Sequence, residues 1–369
     1  MQNKVLIAGA SGLVGTAAAI SFAREGWQVI AASRRPPELL DDPNIHHVAL
    51  DLQDPAACAE VCAQLNGVSH LVYTAVFELP GLVNGWSDPM QINTNGQMLK
   101  NLLDALVKSN RIQHVTLLQG TKAYGAMVGP MRVPARESQP RVEHPNFYWL
   151  QEDYLRAHAK DHDYDFTILR PQMIVGPNHG VVMNLPPVVG VYAALRQAEG
   201  LPLTFPGGAD RVLEAVDVRL VGDACLWSAT NQCARGETYN LTNGEVFSWR
   251  DMWPAIAETL AMQTGDDEPL SVADYLMQRD GLWQSIVAQH NLVSHSLEQI
   301  VGDSHYYADL CFAYGAVEPP PPIFVSTVKI HQAGFTQTII ARKVFATGCA
   351  ICAAAASFRR YAFTATNEH

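Results

Sequence analysis

Basic charge is scarce in this 369-residue chain, where 25 Lys and Arg against 36 Asp and Glu leave a net charge of −11. Nucleic-acid and anionic-membrane binders need a basic footprint, so neither partner is expected, although one local basic pocket for an anionic ligand remains open. Long apolar runs are also missing. No uncharged stretch reaches the roughly 18 to 20 residues of a spanning helix, and the opening MQNKVLIAG enters a strand with no leader-like start before it. The seven cysteines are odd in number and mostly scattered, which suits reduced thiols in a cytoplasmic protein. Cys349 and Cys352 in CAIC have redox-motif spacing, but without a strand or second pair around them a bland tail is the better account. One further absence bears on chemistry: no tyrosine is followed four residues later by a lysine.

What is present begins with KVLIAGASGLVGTAAAISFAREGWQVIAASR, a strand, a glycine turn, a helix and a second strand. Val5 to Ala8 form the continuous apolar run of a strand buried on both faces. Gly9, Gly12 and Gly15 permit a sharp turn, a close approach to a pyrophosphate, and tight helix–strand packing. The helix start supplies free N–H groups to the phosphates. At the end of the second strand a carboxylate would mark NAD, but Ser33, Arg34 and Arg35 stand there, and guanidinium groups suit the 2'-phosphate of NADPH.

Asp51 and Leu52 follow a third strand, HLVYTAVF is a fourth, HVTLLQGTKAYG a fifth and FTILRPQMIVGP a sixth. Strands and helices alternating in this way predict an α/β fold, a Rossmann-type doubly wound parallel sheet with a smaller, mostly helical C-terminal substrate-side region. Ligands lie beyond the carboxyl ends of such strands, which places Thr74, Ala75, Lys122, Tyr124, Pro171 and Ile174 along one crevice. The expected cofactor set is Gly9, Ser11, Gly12, Leu13, Val14, Gly15, Ser33, Arg34, Arg35, Asp51, Leu52, Thr74, Ala75, Gln119, Pro171 and Ile174. Residues 1–176, with 211–245 returning, are expected as the dinucleotide-binding core, 177–210 and 246–338 as the substrate side, and 339–369 as an atypical tail.

GASGLVG, SRR, LDLQD, GTKAYG, NFYWLQEDYL, LRPQMIVG, MNLPPVVGVYAAL and NLTNGEVFSW together resemble the extended short-chain dehydrogenase/reductases, from about residue 4 to about residue 338. More narrowly, the chain is similar to the plant progesterone 5β-reductase and iridoid synthase group, as a bacterial relative. The resemblance implies a lysine on the loop after strand five and a tyrosine on the next helix, here Lys122 and Tyr148, in place of Tyr-x-x-x-Lys. Plant members mostly have two tyrosines after NF; the second is Trp149 here, so Tyr148 is the working one, and the usual serine near strand five has no counterpart. It further implies NADPH-dependent 1,4-reduction of an enal or enone. A phenol donor would stabilise the enolate oxygen, and an ammonium nearby would bias Tyr148 toward phenolate.

Glu152 and Asp153, a turn beyond Tyr148, are expected to be solvated or to stabilise the helix. Phe77, Trp86, Tyr124, Met127 and Met183 are candidate pocket walls for a hydrophobic substrate. His158 and His162 lie four apart without a third ligand, so no metal is expected. Trp249, Trp253 and Trp283 mark the helical annex. From about Ile339 the tail departs from the family pattern, as a reading-frame change near the end of the coding sequence would produce, and is expected to be poorly ordered or unusually packed. The alternatives are a carbonyl reductase and a non-catalytic NADP(H) sensor; a nucleotide-sugar epimerase would want tightly held NAD and an intact Tyr-x-x-x-Lys. No heptad seam marks an interface, and a homodimer stays open.

Overall fold

Strand β1 (Lys4–Ala8) sends Leu6 and Ala8 into one apolar layer and Val5 and Ile7 into another. That two-sided burial is what a parallel sheet covered by helices requires. The computed structural model describes residues 3–37, 42–290, 292, 296–345 and 348–349. Around β1 runs a seven-stranded parallel sheet, completed by β2 (Gln28–Ser33), β3 (Ile45–Ala49), β4 (His70–Tyr73), β5 (His114–Leu118), β6 (Asp165–Pro171) and, late in the chain, β9 (Glu237–Leu241). Its order is β3-β2-β1-β4-β5-β6-β9, so the strand order reverses between β1 and β4, where such sheets bind ligands.

One face is covered by α2 (Pro55–Gln64), α3 (Pro89–Ser109) and α4 (Phe147–His162), the other by α1 (Leu13–Arg24) and α6 (Val218–Thr230). The caps are written into the sequence. The Asp88 side chain accepts from the backbone of Met90 and Gln91 ahead of Pro89, and Asn146 Oδ1 accepts from Tyr148 N at 3.0 Å. The Asn146 cap sets the start of α4 and so puts Tyr148 in its first turn. The helices α1 and α6 approach closely, since a Cβ on Gly222 would stand 2.7 Å from the carbonyl oxygen of Ala17.

The expected sixth strand is in fact two. β6 ends at Pro171: the backbone N–H of Gln172 gives the last ladder bond, to Leu241 O, and its side chain reaches Ile323 O at 2.7 Å. The remainder, β7 (Met173–Val175), joins β8 (Val212–Asp217) and β10 (Val246–Ser248) in a small sheet of order β10-β8-β7.

The chain divides into two compact units, the first Met1–Ile174, Val212–Phe247 and Pro321–Ala341, the second Val175–Arg211, Ser248–Pro320 and Arg342–His369. Residues 321–338, expected on the substrate side, group with the first unit. There Val325 bridges Ala135, and Ile330 of α12 (Val328–Gln332) and Phe335 enter the core beneath β9. The second unit is helical: α5 (Leu185–Ala198), α7 (Trp249–Thr259), α8 (Val272–Met277), α9 (Asp280–His290), α10 (Leu297–Val301) and α11 (Ser304–Cys311). Its interior is aromatic, with Phe205 and Trp253 rings 5.2 Å apart and Trp249 and Phe312 4.8 Å apart. Part of the expected atypical tail packs here, for Phe345 is fully buried with its ring 4.9 Å from that of Trp249. Cys349 is buried; Cys352 and the rest of the tail lie outside the described residues.

Candidate active site

The turn after β1 is shaped by two glycines. Gly9 has φ +87°, and a Cβ on Gly15 would stand 2.2 Å from the Gly9 carbonyl oxygen. Gly12 caps α1 without any side-chain hydrogen bond, leaving the first-turn amides from Leu13 onward to an external anion. Ser11 and Val14, also in this turn, are partly buried. Thr74 meets the turn from β4, donating its hydroxyl to Ala8 O at 2.8 Å, and a Cβ on Gly9 would collide with Ala75.

Beyond β2, Arg34 and Arg35 are exposed, and among the described residues neither has an ion-pair partner. Ser33 is buried, with its hydroxyl on Arg35 O at 2.6 Å. Asp51 is exposed beyond β3 and Leu52 is buried, its carbonyl receiving Asn101 Nδ2 at 2.9 Å. Pro171 and Ile174 flank the break at Gln172. The turn, Ser33–Arg35, Asp51–Leu52, Thr74–Ala75 and Pro171 thus stand at the carboxyl ends of neighbouring strands.

Gln119 was expected on the cofactor, yet its side-chain amide is fully engaged inside the protein. Oε1 accepts from Arg170 Nε at 2.8 Å, and Nε2 donates to Tyr148 O at 3.3 Å and Glu152 Oε2 at 3.2 Å. It braces β5 and β6 against α4.

Lys122 sits in a short 3₁₀ turn, Thr121–Tyr124, directly after β5. Its ammonium lies 3.4 Å from the centre of the Trp86 ring, a cation–π contact. No acceptor among the described residues takes its N–H groups. Burial brings its pKa down to about 8, against the pull of the Glu78 carboxylate. The Tyr148 hydroxyl is likewise without a hydrogen-bond partner among the described residues, and a Cβ on Gly120 would lie 3.3 Å from it. Glycine at 120 therefore leaves the phenol room at the end of β5.

The expected phenolate bias is not borne out. Burial pushes the Tyr148 pKa well up, Glu78 adds to the rise and Arg170 opposes it. The group is a neutral phenol, a donor. Its counter-field comes from Arg170, while the Lys122 ammonium lies on the Trp86 ring.

Glu152 occupies the slot four residues after Tyr148 and is not solvated: it is 5% exposed. Arg170 (3.2 Å), Arg156 (2.9 Å) and Arg141 (3.2 Å) surround it. Burial alone would favour its neutral form, but Arg170 and Arg156, with hydrogen bonds from Arg156 and Gln119, hold its carboxyl below the usual range. Asp153 is exposed and pairs with Arg141 at 2.6 Å.

Tyr124 is a core residue rather than a pocket wall. Its hydroxyl donates to Asn240 Oδ1 at 2.6 Å, and its ring packs with Ala135 and Val325 under the Arg170 guanidinium. Phe77 packs partly against the α3 layer. Met127 is 43% exposed, and Met183 belongs to the second unit, at φ +57°. His158 is bonded through Nδ1 to the Tyr164 hydroxyl at 2.8 Å and stacked on His162; among the described residues no group of three His, Cys, Asp or Glu is placed to hold a metal.

Two residues of this neighbourhood escaped the sequence reading, Arg170 and Glu78. Each left a signal: an arginine inside the apolar strand FTILRP, and a glutamate directly after the apolar run of HLVYTAVFE.

Residues 5–242 match the NAD dependent epimerase/dehydratase family. The chain belongs to that family. Its extended short-chain dehydrogenase/reductase architecture also appears in the Bordetella bronchiseptica enzyme WbmH in complex with NAD+, at TM-score 0.62 and 17% identity, covering 96% of this chain and 98% of that one. Among curated relatives, (S)-8-oxocitronellyl enol synthase of Catharanthus roseus is 28% identical, over 84% of this chain and 82% of its own. The 3-oxo-Delta(4,5)-steroid 5-beta-reductase of Arabidopsis thaliana is 29% identical, over 81% and 80%. This family member is a nicotinamide-dependent oxidoreductase. No helix among its described residues is long and apolar enough to cross a membrane.

Proposed function

We propose that this protein is an NADPH-dependent reductase of the C=C bond of activated enals or enones. The observation that carries the reading is a pair of donors with no hydrogen-bond acceptor among the described residues, the neutral phenol of Tyr148 and the Lys122 amine on the Trp86 ring, whereas the neighbouring Tyr124 hydroxyl is bound to Asn240. The relatives support it, since one is named an enol synthase and another a 5-beta-reductase. The glycine turn, with no room for a Cβ at Gly9 or Gly15, fits a pyrophosphate, and Arg34 and Arg35, exposed and without an ion-pair partner among the described residues, fit a 2'-phosphate. Bound there, NADPH would supply the hydride for the substrate β-carbon.

As charge builds on the substrate carbonyl oxygen, Tyr148 donates a hydrogen bond to it and Lys122 adds a positive field. One such donor is worth about 3–4 kcal/mol of transition-state stabilisation. Tyr148 need not become a phenolate, because water can protonate the enolate at carbon. A proton-relay lysine at the Glu152 slot is therefore not needed. The reading extends to a cytoplasmic setting, with Cys58 and Cys62 as free buried thiols.

The test is product analysis after incubating the protein with NADPH and citral, cyclohexenone or a steroid enone, with Tyr148→Phe in parallel. Saturated product, lost in the variant, is expected. Allylic alcohol would move the hydride to the carbonyl carbon and overturn the reading in favour of a carbonyl reductase. Cofactor binding without turnover of any substrate would favour a sensor.

A further inference from the structure

Gln119 is tied to β6 through its backbone and to α4 through its side chain. Its N–H donates to Leu169 O at 2.8 Å, one residue past the end of β5. Oε1 accepts from Arg170 Nε at 2.8 Å, and Nε2 donates to Tyr148 O at 3.3 Å and to Glu152 Oε2 at 3.2 Å. Only one orientation of the amide satisfies these neighbours: flipped, its NH2 would face the Arg170 donor and its oxygen would face two acceptors. Gln119, Glu152 and Arg170 are all buried, where a donor set against a donor is costly. Arg170 is itself fixed, by Glu152 at 3.2 Å and by the Tyr124 ring, whose centre lies 5.1 Å from the guanidinium carbon.

The consequence falls on Tyr148. Its backbone N–H is held by Asn146 Oδ1 at 3.0 Å and its carbonyl by Gln119, so side chains grip both of its polar backbone groups. The residue after Gln119 meets the other end of the same tyrosine, for a Cβ on Gly120 would lie 3.3 Å from the hydroxyl. Gln119 and Gly120 thus address one residue twice, at its carbonyl and at its phenol. The Phe147 ring stands edge-on to the Tyr148 ring, with centres 4.7 Å apart. A phenol hydroxyl is the far end of a stiff ring, so any tilt of the first turn of α4 is carried through to it.

We propose that Gln119 is a positioning residue for Tyr148: by donating to the Tyr148 carbonyl from the end of β5, it sets where the phenol stands at Gly120. This deepens the function proposed above and rests on it for the role of the phenol in turnover. Arg170 orients the Gln119 amide, and Glu152 takes its second N–H. The three buried side chains form one satisfied network, the kind that holds a single geometry, and it registers α4 against β5 and β6. The carboxylate four residues after Tyr148 therefore serves the tyrosine through its backbone and not through its hydroxyl.

The experiment places 3-fluorotyrosine at position 148 of the full chain and records its fluorine NMR line in wild type, Gln119→Glu and Gln119→Met. Gln119→Glu has the same length and keeps an acceptor for Arg170 Nε, but offers no N–H to the Tyr148 carbonyl. Gln119→Met gives up all three bonds and introduces no charge, so a shift there reports position. Melting temperature shows which variants fold, and whichever folds carries the test. The wild type should give one narrow line, and each variant should shift or split it. The kcat for the enal should fall about 10- to 100-fold in each, as misplacement of a reacting group does, with NADPH affinity held. A purely structural brace predicts the opposite for Gln119→Glu, wild-type line and wild-type kcat, because the Arg170 bond is kept. An unchanged line in a folded variant, or an unchanged kcat beside a shifted line, overturns the proposal. The line needs no turnover, so a protein that reduces no enal would sink the functional reading and leave the Gln119 assignment to be decided by the line.

Discussion

Tyr148 is distinguished from its neighbour Tyr124 by what its hydroxyl does not do. Tyr124 is bound to Asn240, whereas the Tyr148 phenol has no hydrogen-bond partner among the described residues. Replacing Tyr148 by Phe should lower kcat about 10²–10³-fold while NADPH affinity stays constant, as steady-state kinetics with a binding titration would show; a loss below tenfold would move the donor elsewhere. Arg170 acts at the same scale. Arg170→Met strips Glu152 and Gln119 of a buried partner and should cost about 3 kcal/mol in denaturant unfolding. GTKAYG and NFYWLQEDYL place Lys122 just after β5 and Tyr148 at the start of α4, which is where the structure has them. The Glu152 cluster was not legible in the sequence, since spacing along one helix reports only that helix, and Arg170 arrives from a strand while Arg141 arrives from a loop.

At the level of elements, β1 to β5 and their covering helices follow from apolar period and caps, which are local. The break of the sixth strand does not, because the Gln172 side chain bonds to Ile323 and β7 pairs with β8, residues remote in sequence. The β1–α1 turn yields a sharp prediction. Gly15→Ala would drive a Cβ into the Gly9 carbonyl and Ala10 Cα, so cofactor titration should show affinity lowered by at least about tenfold, the cost of misplacing the helix start. Arg34→Ser with Arg35→Ser should reduce the preference for NADPH over NADH on the order of tenfold or more; equal loss for both cofactors would remove the arginines from the 2'-phosphate.

The whole molecule should lose stability in mild acid. His70 and His114 are register partners on β4 and β5, both buried. Burial lowers their pKa values to about 4 and about 3, below the unfolded value near 6.5. The unfolded chain therefore binds protons first as pH falls. The stability these neutral rings contribute is complete above about pH 6.5 and is lost progressively toward pH 4, at about 1.4 kcal/mol per unit for each. Melting temperature should drop across that window. His114→Phe should flatten the drop, with Thr167 still donating to Ala234 O at 2.7 Å; an unchanged slope would place the acid sensitivity elsewhere. The way the first unit is assembled has a consequence for synthesis and for engineering. The last strand of its seven-stranded sheet arrives at Glu237–Leu241 and its last covering helix at Val328–Gln332. Until those segments leave the ribosome, β6 is an unpaired edge, the kind of surface that recruits other chains. The first 176 residues are accordingly no portable cassette, and a fusion that transplants them alone should aggregate where the full chain folds.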